Sequence, residues 1–201
     1  MKVLVVAEHN NAELFPATLH TVNAANQIGS SDLLVIGSKC ENVVKSSINI
    51  NGINKVLCCD NDIYKNQLAE NASTLIKSIA EEYTHIFFAN TANGKNIAPR
   101  VAALLDVMIV PDIIEIIDHQ TFKRPIYAGN AIATCESNDT FKVVTVRTTA
   151  FEKADFSDQE VEVTNLEADS SSELSKYINS ELSKSERPEL TAADIVVSGG
   201  R

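Results

Sequence analysis

Unbroken runs of apolar residues recur along the first half of the chain. They are dense in Val, Ile, Leu and Phe, and they lie at residues 3–7, 33–37, 55–59 and 85–89. Continuous rather than alternating apolar runs are typical of strands in a parallel sheet that is covered on both faces. The sequence therefore predicts a parallel sheet of at least these strands.

Apolar residues between the runs recur at helical spacing. This spacing predicts helices over residues 14–28, 65–83 and 93–105. Gly29 follows the first helix where a C-cap glycine is favoured, and Pro99 requires the third helix either to start late or to bend. The alternation of strands and helices predicts a doubly wound, mostly parallel α/β sheet of Rossmann-like type.

The pattern changes after Asp106, where strand-like segments are joined by short turns. These segments lie at residues 107–117, 121–128, 131–135 and 141–146. Their spacing is typical of antiparallel β-hairpins. We expect them either to extend the sheet with antiparallel strands or to form a small β lobe.

The remaining residues divide into two parts. Residues 151–186 form an acidic, Ser-rich segment with one edge strand near residues 161–166 and a short amphipathic helix over residues 174–182. Residues 187–201 resume an ordered stretch, in which residues 195–201 are typical of a strand that enters a tight glycine turn. We therefore expect an α/β domain over residues 1–150, the acidic segment, and the start of a further domain from residue 187.

Charge and composition exclude several classes of protein. The chain is 44% hydrophobic and carries a net charge of −10, and residues 151–189 hold 11 acidic against 4 basic residues. Without a stripe of Lys and Arg, nucleic acid is not expected as a partner. The apolar run at the N-terminus is too short for a signal sequence or a membrane span, so we expect a soluble cytoplasmic protein.

Cysteine and histidine spacing gives no sign of a metal site. The four cysteines, Cys40, Cys58, Cys59 and Cys135, form no CxxC pair, and the four histidines show neither HxxxH nor HxH spacing. Disulfides and zinc are not expected, and a reducing compartment suits the chain.

Two loops of the predicted sheet contain candidate chemistry, each with a structural alternative. His9 follows the first strand and is placed as a general base, but no nucleophile accompanies it, so a loop or interface role is favoured. Residues 93–96, Asn-Gly-Lys-Asn, combine a helix N-terminus, a glycine and a lysine, as phosphate sites do, but a helix cap with a solvated lysine is favoured. Neither a Rossmann fingerprint nor a Walker loop occurs in the sequence.

The last four residues are a third candidate site. Ser198, Gly199, Gly200 and Arg201 follow a Val-rich run, and paired glycines there let a backbone approach a phosphate to which an arginine adds a charged hydrogen bond. As an isolated motif, this signal is weak.

Several segments together resemble the alpha subunits of electron transfer flavoproteins. They are LVVAEH at residues 4–9, GKN at 94–96, PRVAA at 99–103, IYAGNA at 126–131, RPELT at 187–191 and VVSGGR at 196–201. The resemblance implies an N-terminal α/β domain, adenine-nucleotide alpha-hydrolase-like in fold, that binds no nucleotide, followed by a domain that holds FAD. It places Arg201 against the FAD, with Ser198, Gly199 and Gly200 shaping the turn.

The resemblance also implies partners. The alpha subunit pairs with a beta subunit that binds AMP, and the heterodimer carries electrons from flavin dehydrogenases, such as the acyl-CoA dehydrogenases of fatty-acid β-oxidation, to a membrane quinone reductase. It is a carrier rather than an enzyme, in the bacterial cytoplasm or the mitochondrial matrix. Tyr127 and Asn130 are the expected interface residues, with local packing of Tyr127 as the alternative.

The family pattern continues beyond Arg201, so we expect the chain to be a piece of a longer protein, cut as by a trypsin-like protease, that by itself binds no FAD. The resemblance gives residues 1–150 the role of a platform at the subunit interface. The alternative function is a stand-alone nucleotide-sensing domain of universal-stress type, with a catalytic role ranked third.

Overall fold

Seven parallel strands form the central sheet of the structure, a computed structural model that describes residues 1–169, 171–181 and 195–200. In spatial order the strands are β10 (Glu162–Asn165), β3 (Ile53–Asp60), β2 (Ser30–Gly37), β1 (Lys2–Val6), β4 (His85–Ala89), β9 (Lys142–Val146) and β5 (Ile109–Ile113). The four predicted apolar runs lie in β1 to β4, and the prediction of a parallel sheet is confirmed.

Helices cover both faces of this sheet. They are α1 (Pro16–Asn26), α2 (Glu41–Ser47), α3 (Ala69–Ile79) and α4 (Ala92–Leu104). Val3 and Val5 of β1 pack in one apolar cluster with residues of α1 and α2. Leu4 and Val6 pack in a second cluster with residues of α3 and α4. The doubly wound arrangement is therefore confirmed, because successive side chains of one strand enter two different cores.

A small antiparallel sheet lies beside the edge strand β5. It consists of β6 (Glu115–Ile116), β7 (Thr121–Ile126) and β8 (Ala131–Glu136). Phe122 on its inner face is fully buried in the core that contains α1. The predicted β lobe is thus confirmed, but the first and the last of its predicted strands were placed wrongly. Of the segment at residues 107–117, Ile109–Ile113 form β5, which is parallel and belongs to the main sheet, and only Glu115–Ile116 join the lobe. Residues 142–146 are β9, which runs parallel between β4 and β5, and all five of its side chains are buried there.

The helix predictions differ from the structure mainly at their starts. The helix predicted from residue 65 begins at Ala69, after a turn of 3₁₀-helix at Asp62–Tyr64. The third helix begins at Ala92 and contains Pro99, which excludes the late start and leaves the bend as the other alternative of that prediction.

The acidic segment follows the surface of the α/β domain rather than leaving it. We call residues 151–169 and 171–175 the strap. Its backbone N–H groups donate to Leu19 O (from Ala154, 3.1 Å), Asn49 O (from Ser157, 2.7 Å) and Cys58 O (from Leu166, 2.7 Å). β10 confirms the predicted edge strand and pairs with β3. The strap passes around the β3 edge from α1 to α3, where the Ser172 N–H donates to Asn71 Oδ1 at 2.9 Å.

Two predicted elements near the C-terminus are absent from the described residues. Residues 174–181 form no helix, and residues 195–200 form no strand. Leu174 and Ile178, which would line the apolar face of that helix, are 73% and 87% exposed. A short helix without a surface to pack on is not stable, and a strand requires a hydrogen-bonded neighbour.

Candidate functional site

The carboxyl ends of β1 and β4 define the position where ligands bind in folds of this type. The connection after β1 leads to α1 on one face, and the connection after β4 leads to α4 on the other. A crevice is expected where the connections diverge to opposite faces. The loops that line it begin with Glu8 and His9 after β1 and with Asn90 and Thr91 after β4.

A hydrogen bond closes this crevice. The Thr91 hydroxyl donates to Glu8 Oε2 at 2.5 Å, and Thr91 Oγ1 accepts the Gly94 N–H at 3.2 Å as the N-cap of α4. Burial raises the pKa of Glu8, and the Thr91 hydroxyl offsets part of this shift. The first N–H groups of α4 thus face a side chain of the protein and a nearby carboxyl group, which does not favour a phosphate.

A cavity at this end of the sheet, lined in part by the last residue of β1, is too small for a nucleotide. It has a volume of about 20 Å³ and lies among Val6, Gln67 and Asn93. Pockets for organic ligands usually measure about 300–1,000 Å³, whereas a space of this size accommodates roughly one water molecule.

His9 is an internal anchor of the first loop. It is 3% exposed, and its Nδ1 accepts the Asn11 N–H at 3.0 Å. The Gln67 amide donates to the His9 carbonyl at 3.0 Å and ties this loop to the start of α3. Burial lowers the pKa of His9 to about 4, partly offset by a hydrogen bond with the backbone of Ile36. These contacts favour the structural role of His9 over that of a general base.

Gly94 allows α4 to approach β4 closely. A Cβ atom at this position would lie 1.9 Å from the Ala89 carbonyl oxygen. Lys95 beside it is exposed. The glycine that suggested a phosphate site is therefore required by helix packing.

A second polar group at the same end of the sheet was not found from the sequence. Asp112 has a left-handed backbone (φ 61°) at a register shift of β5, and Arg147 binds its carboxylate through two nitrogen atoms. Asn90 donates to Asp112 Oδ1 at 2.5 Å, and the Thr145 hydroxyl donates to Asn90 Oδ1 at 3.0 Å. The available signal was an aspartate that interrupts an otherwise apolar strand.

The structure does not assemble a site from the residues predicted to contact FAD. Ser198, Gly199 and Gly200 are exposed, and a Cβ atom at either glycine would have no neighbour within 4 Å. Arg201 lies outside the described residues. Their role stays a prediction.

Tyr127 and Asn130 lie in the turn between β7 and β8. Tyr127 and Ala128 have left-handed backbones, and the Asn130 side-chain amide and backbone N–H both donate to the Tyr127 carbonyl, at 2.9 and 3.1 Å. Asn130 therefore holds the turn. Tyr127 is 79% exposed, which does not favour local packing of its ring, and its interface role stays a prediction.

Among the described residues, neither a cluster of His, Cys, Asp and Glu that could hold a metal ion nor a helix long and apolar enough to cross a membrane was found.

The fold and this strand-end crevice define a Rossmann-like α/β domain. Comparison with known sequences is more specific, since the profile of the electron transfer flavoprotein domain matches residues 3–171. The chain belongs to the electron transfer flavoprotein family, and the resemblance seen in the sequence motifs is confirmed.

The similar proteins are alpha subunits. The electron transfer flavoprotein subunit alpha of Pseudomonas aeruginosa is 48% identical over 202 residues, covering 100% of this chain and 65% of its own length. The mitochondrial subunit alpha of Dictyostelium discoideum is 44% identical, covering 98% of this chain and 61% of its own length. The Paracoccus denitrificans subunit alpha is 41% identical, covering 100% and 65%. The chain thus spans less than two thirds of these relatives and matches their N-terminal part.

Gly94→Ala is expected to lower the free energy of unfolding by about 2–3 kcal/mol, because the new Cβ overlaps a backbone carbonyl. Helix propensity alone would favour alanine by about 1 kcal/mol. The sign of the change in the free energy of unfolding therefore separates steric overlap from helix propensity. Urea unfolding measures the change. The neighbouring Lys95→Ala should stay within about 0.5 kcal/mol of wild type. Equal stability of Gly94→Ala and wild type would contradict the close approach.

His9 should make stability fall in mild acid. Its folded-state pKa is about 4 against an ordinary value of 6.5, so the unfolded chain takes up the proton first. The contribution of the neutral, buried His9 to the free energy of unfolding is complete above pH 6.5. It is lost as the pH falls toward 4, and the loss is on the order of 3 kcal/mol.

In denaturant unfolding across this pH range, the free energy of unfolding should therefore fall less steeply for His9→Gln than for wild type. His85, whose pKa burial also lowers, remains in this variant and keeps part of the slope. His119→Gln, at an exposed position, is the control. Parallel pH profiles of wild type and His9→Gln would rule out the assignment.

Proposed function

We propose that this chain is the platform of an electron transfer flavoprotein alpha subunit, which binds a partner subunit and supports a flavin domain without holding a nucleotide itself. Membership of the family supports the carrier role. The hydrogen bond from Thr91 to Glu8 is the observation that carries the platform role, because it closes the crevice in which a Rossmann-like domain binds its ligand.

FAD is the proposed cofactor of the complete subunit. The described residues of this chain form no cradle for it at the predicted turn, since a Cβ atom at Gly199 or Gly200 would meet no other atom within 4 Å. We therefore assign FAD binding to the part of the subunit that the relatives have beyond this chain, with Ser198, Gly199, Gly200 and Arg201 as the first contacts. When bound, the flavin supplies the electron-carrying chemistry.

The resemblance to the family supports a proposed electron route. Flavin dehydrogenases, such as acyl-CoA dehydrogenases, are the donors, and a membrane quinone reductase is the acceptor. The protein acts as a carrier without a substrate transformation of its own, beside a beta subunit that holds AMP. The relatives include bacterial and mitochondrial proteins, and we assign the chain to the bacterial cytoplasm or the mitochondrial matrix.

The small antiparallel sheet is the proposed contact with the beta subunit. Its outer face carries Ile132 and Pro125 as a cross-strand pair, and Ile132 is 54% exposed. Tyr127 projects from the adjoining turn. Within the described residues β8 pairs with β7 alone, so its other edge is free to meet another chain. Exposed aromatic and aliphatic side chains beside a free strand edge are typical of a protein interface.

The alternative functions have less support. A nucleotide-sensing domain of universal-stress type needs a crevice open to phosphate, which the Glu8 carboxyl group and the small cavity disfavour. A catalytic role would depend on His9, which is buried and bonded to its own loop.

The carrier assignment can be tested by visible absorption. The complete gene product, co-purified with its neighbouring small subunit, should show flavin bands that bleach when a reduced acyl-CoA dehydrogenase is added. The 201-residue chain, incubated with FAD and passed through a gel-filtration column, should show none. Absence of flavin from both would overturn the carrier role, and flavin retained by the short chain would overturn the platform role.

Tyr127→Ala should weaken the heterodimer about five- to thirtyfold, because an exposed tyrosine at an interface contributes roughly 1–2 kcal/mol. Titration calorimetry with the partner subunit measures this. The matched control is Phe156→Ala, which removes an exposed aromatic ring from the strap near the β3 edge. Asn130→Ala should lower both affinity and thermal stability, since it loosens the turn. Unchanged affinity of Tyr127→Ala would remove Tyr127 from the interface.

A further inference from the structure

A cleft of about 330 Å³ lies between the edge of the main sheet and the small sheet. Residues 108–110, at and before the start of β5, form one wall. The other wall contains Arg124 of β7 and Cys135 of β8, and the loop of residues 137–139 closes one end. Its volume is within the usual range for a binding site, about 300–1,000 Å³.

Arg124 is directed into this cleft by the register of β7. Phe122, two residues earlier on the same face, is fully buried in the core, and its cross-strand partner is Cys135. Because side chains alternate along a strand, Arg124 lies on the inner face with them. Its Nε atom is buried and has no hydrogen-bond partner among the described residues.

The acidic groups near Arg124 do not supply that partner. Glu136 lines the cleft, but its cross-strand partner is Thr121, so its side chain belongs to the outer face. The Asp139 carboxylate accepts the Met108 N–H at 3.1 Å and the Ser137 hydroxyl at 3.4 Å. No ion pair within 4.0 Å joins either group to Arg124 in the described part of the chain.

Two neighbouring cationic side chains do have carboxylate partners. Lys123, on the outer face of β7, forms an ion pair with Glu115 at 2.9 Å. Arg147, at the end of β9, is bound to Asp112 through two nitrogen atoms. Arg100 in α4 also has a buried Nε without a hydrogen-bond partner, but its Nη1 lies 4.0 Å from the Glu70 carboxylate. Among the described residues Arg124 has neither an acceptor for Nε nor a carboxylate within 4.0 Å, and a buried charged donor is costly when it is unpaired.

We propose that Arg124 binds a carboxylate side chain of the partner subunit, inserted into the cleft beside β5. This inference rests on the proposed function and names the polar anchor of the subunit contact. Guanidinium and carboxylate groups match in charge and in their paired hydrogen-bonding geometry. The cleft adjoins the small sheet, whose other face carries the proposed apolar contact, and Met108 at its rim is 73% exposed.

The test measures the dissociation constant of the complete subunit and its partner by titration calorimetry at low and high NaCl. Arg124→Gln should weaken the complex at least about tenfold and reduce its dependence on salt, because it removes a desolvated charge pair. Arg124→Lys should be intermediate, since an ammonium group cannot bind a carboxylate through two parallel hydrogen bonds.

The matched control is Lys45→Gln in α2, an exposed position on the β2–β3 side of the sheet, which makes the same change in net charge. It should bind as wild type does. If Arg124→Gln binds with wild-type affinity, solvent rather than the partner subunit satisfies Arg124, and the proposal is wrong. If Lys45→Gln loses as much affinity as Arg124→Gln, the change in net charge explains both results, and the proposal is also wrong.

Thermal unfolding of the unassociated subunit separates two other outcomes. If inorganic phosphate stabilises wild type but not Arg124→Gln while the dissociation constant is unchanged, the cleft is a small-anion site and the proposal is wrong. If Arg124→Gln does not fold, the comparison of Arg124→Lys with wild type decides. Failure of the wild-type subunits to associate would refute the proposed function, whereas association unaffected by Arg124 would refute this inference alone.

Discussion

Both faces of the seven-stranded sheet are covered by apolar helix surfaces, and this constraint confines polar side chains to the ends and edges of the strands. At the amino end, the buried Asp32 accepts the Tyr83 hydroxyl at 2.7 Å and lies 3.4 Å from Lys2 Nζ. At the carboxyl end, Glu8 and His9 are bonded to other parts of the chain in a similar way. A sheet end whose polar groups bond to one another has little affinity left for a phosphate.

The closed crevice depends on a short distance between backbones. Gly94 allows the first turn of α4 to reach the Ala89 carbonyl, and this position brings the N-cap hydroxyl of Thr91 to Glu8. A larger residue at position 94 would overlap this carbonyl group. In this domain Glu8 and the N-cap of α4 thus bond to each other at the place where a Rossmann-like fold can bind a ligand, and the fold alone does not determine the function.

The chain covers one edge of the main sheet and leaves a cleft at the other. At the β3 edge, the strap adds β10 and continues to Asn71 in α3, so the chain itself covers that edge. At the β5 edge, the small sheet stands beside the main sheet and leaves a cleft that contains Arg124. Exposed apolar residues and a buried, unpaired guanidinium nitrogen lie on this side, which is why we place the partner subunit there.

The sequence by itself determined the parallel sheet, the two layers of helices and the family, because continuous apolar runs, helical periodicity and local motifs are properties of neighbouring residues. It did not determine that residues 142–146 insert between β4 and β5, where all five side chains are buried, since strand order depends on pairing between distant segments. Nor could it separate a phosphate loop from a packing glycine at Gly94, or reveal the bond of Glu8 to a residue 83 positions away. The tertiary structure decided these points, because burial and the satisfaction of polar groups depend on contacts that no local pattern records.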